Sequence, residues 1–175
     1  MDLGRALSLI RPIPDYPKPG ILFQDITPLL ADPVAFNRVI SEIASLDADS
    51  EIAVGIEARG FIFASAVALH RQIGFVPVRK KGKLPSVTYS RSYGLEYGSD
   101  EIEIHRDALV PGCKVTLIDD VLATGGTLEA AVALITDAGG VVSSIVVLLE
   151  IASLEGRNRI EKVAPGVALH ALVTI

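Results

Sequence analysis

Apolar residues along the chain recur with two different periods, and the switches between them outline the elements. In "DPVAFNRVISEIASL" (32–46), Phe36, Val39, Ile40 and Ile43 fall at helical spacing. Asp32 is placed to cap the helix, with Pro33 at its first position. "EIAVGIEARG" (51–60) reads as a short buried strand running into a glycine turn. "FIFASAVALHRQ" (61–72) is apolar nearly all round, which predicts a buried helix. "GFVPVRK" (74–80), "VVSSIVVLLE" (141–150) and "VALHALVTI" (167–175) read as further strands. "VTLIDDVLATGGTLEAA" (115–131) begins as a buried strand and ends as a helix. That helix turns Leu128, Ala131, Val132 and Ile135 inward and stops at Gly139-Gly140. Residues 86–107 differ. "IEIH" (102–105) alternates with period two, and Gly94 and Gly98 offer turns, which predicts a half-exposed two-stranded flap. Strands alternating with helices predict an α/β fold, a mostly parallel twisted sheet flanked by helices.

At 175 residues the chain fits one domain, 1–175, and half of its residues are hydrophobic. No apolar run reaches the length of a membrane span; the nearest, "GVVSSIVVLLEIASL", is interrupted by Glu150. The apolar stretch in "MDLGRALSLIRPIP" is too short and too broken by arginine for a signal peptide. The lone Cys113 has no internal partner, so a cytoplasmic location is expected. A formal net charge of −5 argues against a general nucleic-acid binder. The basic residues nevertheless cluster: Arg79, Lys80, Lys81 and Lys83 lie in "VRKKGKLP". The cluster is either a site for a small anion or a solvated lysine-rich turn, with Lys81 the member best read as surface charge. His70, His105 and His170 lie in separate segments without metal-ligand spacing.

The chemistry concentrates at 119–127. Ligands of open α/β sheets sit outside the carboxyl ends of the strands. Asp119 and Asp120 are placed at such an end. Two adjacent carboxylates are tolerable there if solvated, or if they accept hydrogen bonds from vicinal hydroxyls and the waters of a bound cation. Ala123, Thr124, Gly125, Gly126 and Thr127 then offer backbone N–H groups at a helix N-terminus. Glycine permits close approach, the helix dipole favours an anion, and the threonines add hydroxyl donors. Ribose hydroxyls beside a 5′-phosphate match this order of groups. The loop lacks the Gly-Lys-Ser/Thr of a P-loop and the G-x-G-x-x-G of dinucleotide sites.

This stretch resembles the phosphoribosyl-pyrophosphate (PRPP) motif of the type I phosphoribosyltransferases. "PDYPKPGILFQDITPLLADP" (14–33), "EARGF" (57–61), "RKKGKLP" (79–85) and "YGLEYGSDEIEIHRDAL" (93–109) extend the resemblance, in order, to the adenine-using branch of that family. The resemblance implies the type I fold, with an N-terminal hood (about 1–33) and the flap (about 86–107). It also implies the reaction of adenine with PRPP to give AMP and pyrophosphate, with Mg²⁺. The family pattern puts the 5′-phosphate on Ala123–Thr127. Asp119 and Asp120 hold the ribose hydroxyls, directly or through hydrated Mg²⁺. Pyrophosphate falls to Arg59, Arg79, Lys80 and Lys83. Mg²⁺ binds mainly through PRPP and water, so no direct protein ligand is assigned. The resemblance implies a homodimer, since part of the basic segment reaches the neighbouring subunit's site in related enzymes. Adenine falls to Leu22, Phe23 and Gln24, the last standing where family members often carry Arg. Read without the resemblance, that stretch is a proline-rich loop packing Leu22 and Phe23 into the core. Glu96 is the family's candidate general acid/base, or else an exposed flap carboxylate, and Tyr97 packs on the closed site or donates its hydroxyl. Two alternatives stay open: transfer to another base, or a non-catalytic purine- or PRPP-sensing regulator on the same fold. Neither nucleic acid nor membrane is expected as a partner.

Overall fold

The computed structural model describes residues 1–95 and 98–175. It divides into two compact units, Met1–Ser45 and Leu46–Ile175.

The first unit comprises α1 (Leu3–Leu7), β1 (Arg11–Ile13), β2 (Phe23–Asp25), α2 (Thr27–Ala31) and α3 (Pro33–Ser45). Asp32 caps α3 as expected, its Oδ1 accepting the Val34 and Ala35 amides at 2.9 Å. The buried stripe is Ala35, Val39, Ile40 and Ile43; Phe36 is only half-buried, displaced from the inward position by Ala35. β1 and β2 pair antiparallel, with Arg11 opposite Asp25. Asp25 accepts hydrogen bonds from the Thr27 hydroxyl and amide and from the Arg11 guanidinium, and these hold its carboxyl down at about 2. Ribbons of three residues carry too few positions to show a period, so β1 and β2 left no hydrophobic signature.

The second unit comprises β3 (Ile52–Ile56), α4 (Arg59–Arg71), β4 (Gly74–Lys80), β5 (Thr88–Leu95), β6 (Gly98–His105), β7 (Lys114–Leu122), α5 (Gly126–Asp137), β8 (Val141–Glu150), a 3₁₀ turn (Ala152–Leu154), α6 (Gly156–Val163) and β9 (Ala168–Thr174). The seven-stranded sheet runs β5-β6-β4-β3-β7-β8-β9. Its strands β4, β3, β7, β8 and β9 are parallel. The hairpin β5–β6 continues the sheet antiparallel through the pairs Arg79 with Glu103 and Lys80 with Ile102. The sheet is thus mostly parallel, as expected. Strands β7 and β8 are buried over most of their length, which is why they read as unbroken apolar runs. Leu117, Ile118, Leu134, Ile135 and Ile145 are among the largest fully buried side chains. Each contributes about 1.5–3 kcal/mol by leaving water.

Two sequence expectations give way. Helix α4 begins at Arg59, directly after β3, and buries only the face bearing Gly60, Phe63, Ala64, Val67 and Ala68. Leu69 is 83% exposed, so the helix is not buried all round despite its composition. In β6, Ile102 and Ile104 face the core as the alternation requires, but Glu103 is buried too, accepting the Leu84 amide at 3.0 Å. The segment 84–88 lies against that face, its Leu84 amide and Thr88 hydroxyl donating to Glu103, so the period of two stops reporting exposure.

The strand order also locates the crevice. The β3–α4–β4 and β7–α5–β8 crossovers depart from β3 and β7 in opposite directions. Right-handed crossovers therefore put α4 and α5 on opposite faces, and the chain parts between the carboxyl ends of β3 and β7. No helix among the described residues is long and apolar enough to cross a membrane.

Candidate active site

The carboxyl ends of β3 and β7 bring together Arg59, Asp119 and Asp120. Gly60 makes this approach possible. A Cβ there would stand 2.8 Å from Asp119 Oδ1 and 2.9 Å from the Ile118 carbonyl. Sequence reading took Gly60 for part of a turn; it is a helix contact, and its neighbour Arg59 is the first residue of α4.

The two aspartates are not solvated. Asp119 is 9% exposed and Asp120 7%, both still within β7. Asp119 Oδ1 accepts the Asp120 amide at 2.9 Å. Arg59 Nη2 lies 2.7 Å from Asp120 Oδ2. That contact is one of charge, because Oδ2 accepts no well-formed hydrogen bond among the described residues. Burial, and then the neighbouring Asp120 charge, push Asp119 well above the usual carboxylate range. Burial raises Asp120 as well, with Arg59 opposing it. One arginine thus balances two buried carboxylates, and the pair is short of positive charge or donors.

Beside them, Ala123, Thr124, Gly125, Gly126 and Thr127 line a concavity of about 60 Å³ together with Val121, Leu122 and Leu128. Gly125 turns the chain into α5 with φ +82°, a conformation that glycine adopts without strain. No side chain caps α5, so the amides of its first turn have no side-chain acceptor at the N-cap. Gly156, which sequence reading passed over, seats this loop from behind. A Cβ on it would stand 2.2 Å from the Ala123 carbonyl and 3.0 Å from the Gly125 amide. No motif marks Gly156; only packing reveals it.

The basic segment is largely matched by acids. Arg79 Nε meets Glu57 at 3.2 Å, Lys80 Nζ meets Asp100 at 3.0 Å, and Lys81 Nζ meets Glu101 at 2.7 Å. Lys83 is exposed and forms no ion pair among the described residues. No group of three or more His, Cys, Asp or Glu side chains stands ready for a metal among the described residues.

Comparison with known proteins decides what such a site belongs to. The profile described as "Phosphoribosyl transferase domain" matches residues 31–167. A curated adenine phosphoribosyltransferase from Streptomyces avermitilis is 52% identical over 171 residues, covering 97% of this chain and 94% of its own. The chain belongs to the adenine phosphoribosyltransferase family. Its fold agrees with solved members of that family. The crystal structure of adenine phosphoribosyltransferase from Thermoanaerobacter pseudethanolicus superposes with a TM-score of 0.92 at 44% identity, covering 99% of this chain and 100% of that one. The Saccharomyces cerevisiae enzyme was solved with adenine and an imino-altritol bisphosphate. It gives a TM-score of 0.89 at 33% identity, covering 98% of each chain.

Within this phosphoribosyltransferase fold, the profile match takes in Arg59, Arg79, Lys80, Lys83, Asp119, Asp120 and 123–127, and leaves residues 22–24 outside. Leu22 is 52% exposed, which argues against the core-packing reading of that stretch. Phe23 and Gln24 are half-buried in β2, with the Phe23 ring edge-on to Tyr16, centroids 5.2 Å apart. Glu96 and Tyr97 lie outside the described residues.

Proposed function

We propose that this chain joins adenine to PRPP, giving AMP and pyrophosphate in purine salvage. The observation that carries this reading is the buried Asp119–Asp120 pair, short of partners, beside an uncapped glycine loop at the parting of the sheet. Vicinal ribose hydroxyls supply the donors that the carboxylates lack. The 5′-phosphate fits the amides of 123–127. Positive charge builds on the sugar as pyrophosphate departs, by analogy with other glycosyl transfers, and buried carboxylates beneath the ring act on it strongly.

Arg59, Arg79, Lys80 and Lys83 take the pyrophosphate, the first three exchanging their own acids for it. The donor set suits Mg²⁺ held by substrate rather than by a protein cage: two carboxylates, no third ligand among the described residues. Asp119 and Asp120 would hold it through water and PRPP, where it supplies charge to the leaving group. In the hood, Leu22 and Gln24 offer main-chain groups to adenine and Phe23 an apolar face. The β5–β6 hairpin acts as the flap, and Glu96 exchanges a proton with a purine ring nitrogen once closure raises its pKa. Tyr97 packs on the closed site. A homodimer is in keeping with the apolar Ile62, Leu69 and Phe75, exposed on α4 and β4. The free, buried Cys113 is in keeping with the cytoplasm.

Incubation with labelled PRPP, Mg²⁺ and each base in turn tests the reading. AMP should form from adenine, with hypoxanthine, guanine and orotate far behind. Nucleotide from another base, with none from adenine, would overturn the assignment. PRPP binding without any turnover would favour a regulator.

A further inference from the structure

Lys80 is not waiting bare for a ligand. Its Nζ lies 3.0 Å from Asp100 Oδ2. Asp100 sits on β6, two residues before Ile102, the register partner of Lys80 across the strand pair. It also stands opposite Tyr93 in the β5–β6 ladder. The Tyr93 hydroxyl donates to the same Oδ2 at 3.2 Å, and Asp100 Oδ1 accepts the Glu101 amide at 2.9 Å. Both carboxylate oxygens are therefore fixed.

From this arrangement we infer that Asp100 is a positioning residue: a built-in counter-ion that holds Lys80 in place and competes with pyrophosphate for it. The inference rests on the proposed assignment of Lys80 to pyrophosphate. Lys80 is half-exposed and Asp100 partly so, which keeps the pair weak enough to exchange. The perturbation is mutual. The Lys80 hydrogen bond holds Asp100 below the usual carboxylate range, and Asp100 raises Lys80. A phosphate arriving at Lys80 must displace this carboxylate, and the displaced group recaptures the lysine when product leaves. Asp100 thereby limits the hold on pyrophosphate and favours its release.

Titration calorimetry with inorganic pyrophosphate and Mg²⁺ tests this. Asp100→Asn removes the competitor and keeps the shape, so it should tighten pyrophosphate binding about three- to fivefold, the scale of a part-exposed ion pair. Adenine affinity should not change, and Asp100→Glu should return pyrophosphate affinity toward the original. A merely structural role predicts the opposite, weaker binding and a lower melting temperature. Lys80→Ala separates the two ideas. If it weakens pyrophosphate while Asp100→Asn fails to strengthen it, the counter-ion role is wrong and the site assignment stands. If Lys80→Ala changes nothing, the assignment of Lys80 falls and the counter-ion role falls with it.

Discussion

Asp119→Asn combined with Asp120→Asn is expected to lower turnover by about two to three orders of magnitude while raising the melting temperature at neutral pH. The first effect follows if the carboxylates act on charge that develops in the transition state. The second follows from their burial. Asp119 is desolvated and faces a like charge, so its pKa is raised in the folded protein. The folded state then binds more protons than the unfolded state between the ordinary value of 3.8 and the raised one. Stability therefore falls as pH rises through that window and stays low above it. The substituted side-chain amides remove this penalty. For a chain of this size each kcal/mol gained raises the melting temperature by about 2–4 °C. The carboxamide at position 119 keeps an oxygen to accept the backbone N–H of position 120, and Arg59 is solvated enough to lose its partner without large cost. Thermal melts across pH decide it. The gap between variant and parent should close below about pH 4, where both carboxylates are protonated in either state. A gap independent of pH would mean the buried charge is not the cause.

Gly156→Ala is expected to damage the glycine loop 123–127 without altering any residue of the loop's own sequence. The new Cβ would stand 2.2 Å from the Ala123 carbonyl and 2.7 Å from Leu122 Cδ1. The backbone of the loop must move, since the nearest atom is main chain. We expect a loss of about 1–3 kcal/mol, the usual scale of overpacking. The KM for PRPP should rise more than about tenfold, because geometric errors near 1 Å are costly at preorganised sites. The KM for adenine should change little. Gly166→Ala is the control: its φ is +80°, so it carries the backbone penalty, but nothing lies within 4 Å of the added methyl. Gly166→Ala should cost about 1–2 kcal/mol and leave both KM values alone. A Gly156→Ala enzyme with unaltered PRPP kinetics would show that the loop does not depend on this seat.

What could be read in the sequence followed from how locally each feature is encoded. β7, the glycine loop and α5 lie within one continuous stretch, so this strand–loop–helix unit was legible before any fold was known. Strands β7 and β8 were legible as apolar runs because both of their faces are buried along most of their length. Contacts between distant segments were not. Nothing in "GRNRIEKV" says that Gly156 lies under Ala123, and nothing in "EARG" says that Gly60 must clear Asp119. The depth of the acidic pair was missed for the same reason: a strand end looks exposed until α4 is laid across it. The basic segment was legible as charge. Its pairing with Glu57, Asp100 and Glu101 depends on where the β5–β6 hairpin joins β4, which composition does not encode.

The proposed function puts the grip on the sugar phosphate with the main-chain amides after Asp120. A crystal structure of the protein with AMP should place the phosphate oxygens about 2.7–3.2 Å from the amides between Thr124 and Thr127, with the ribose hydroxyls at Asp119 and Asp120. Phosphorus bound elsewhere, with that loop closed by its own side chains, would contradict it.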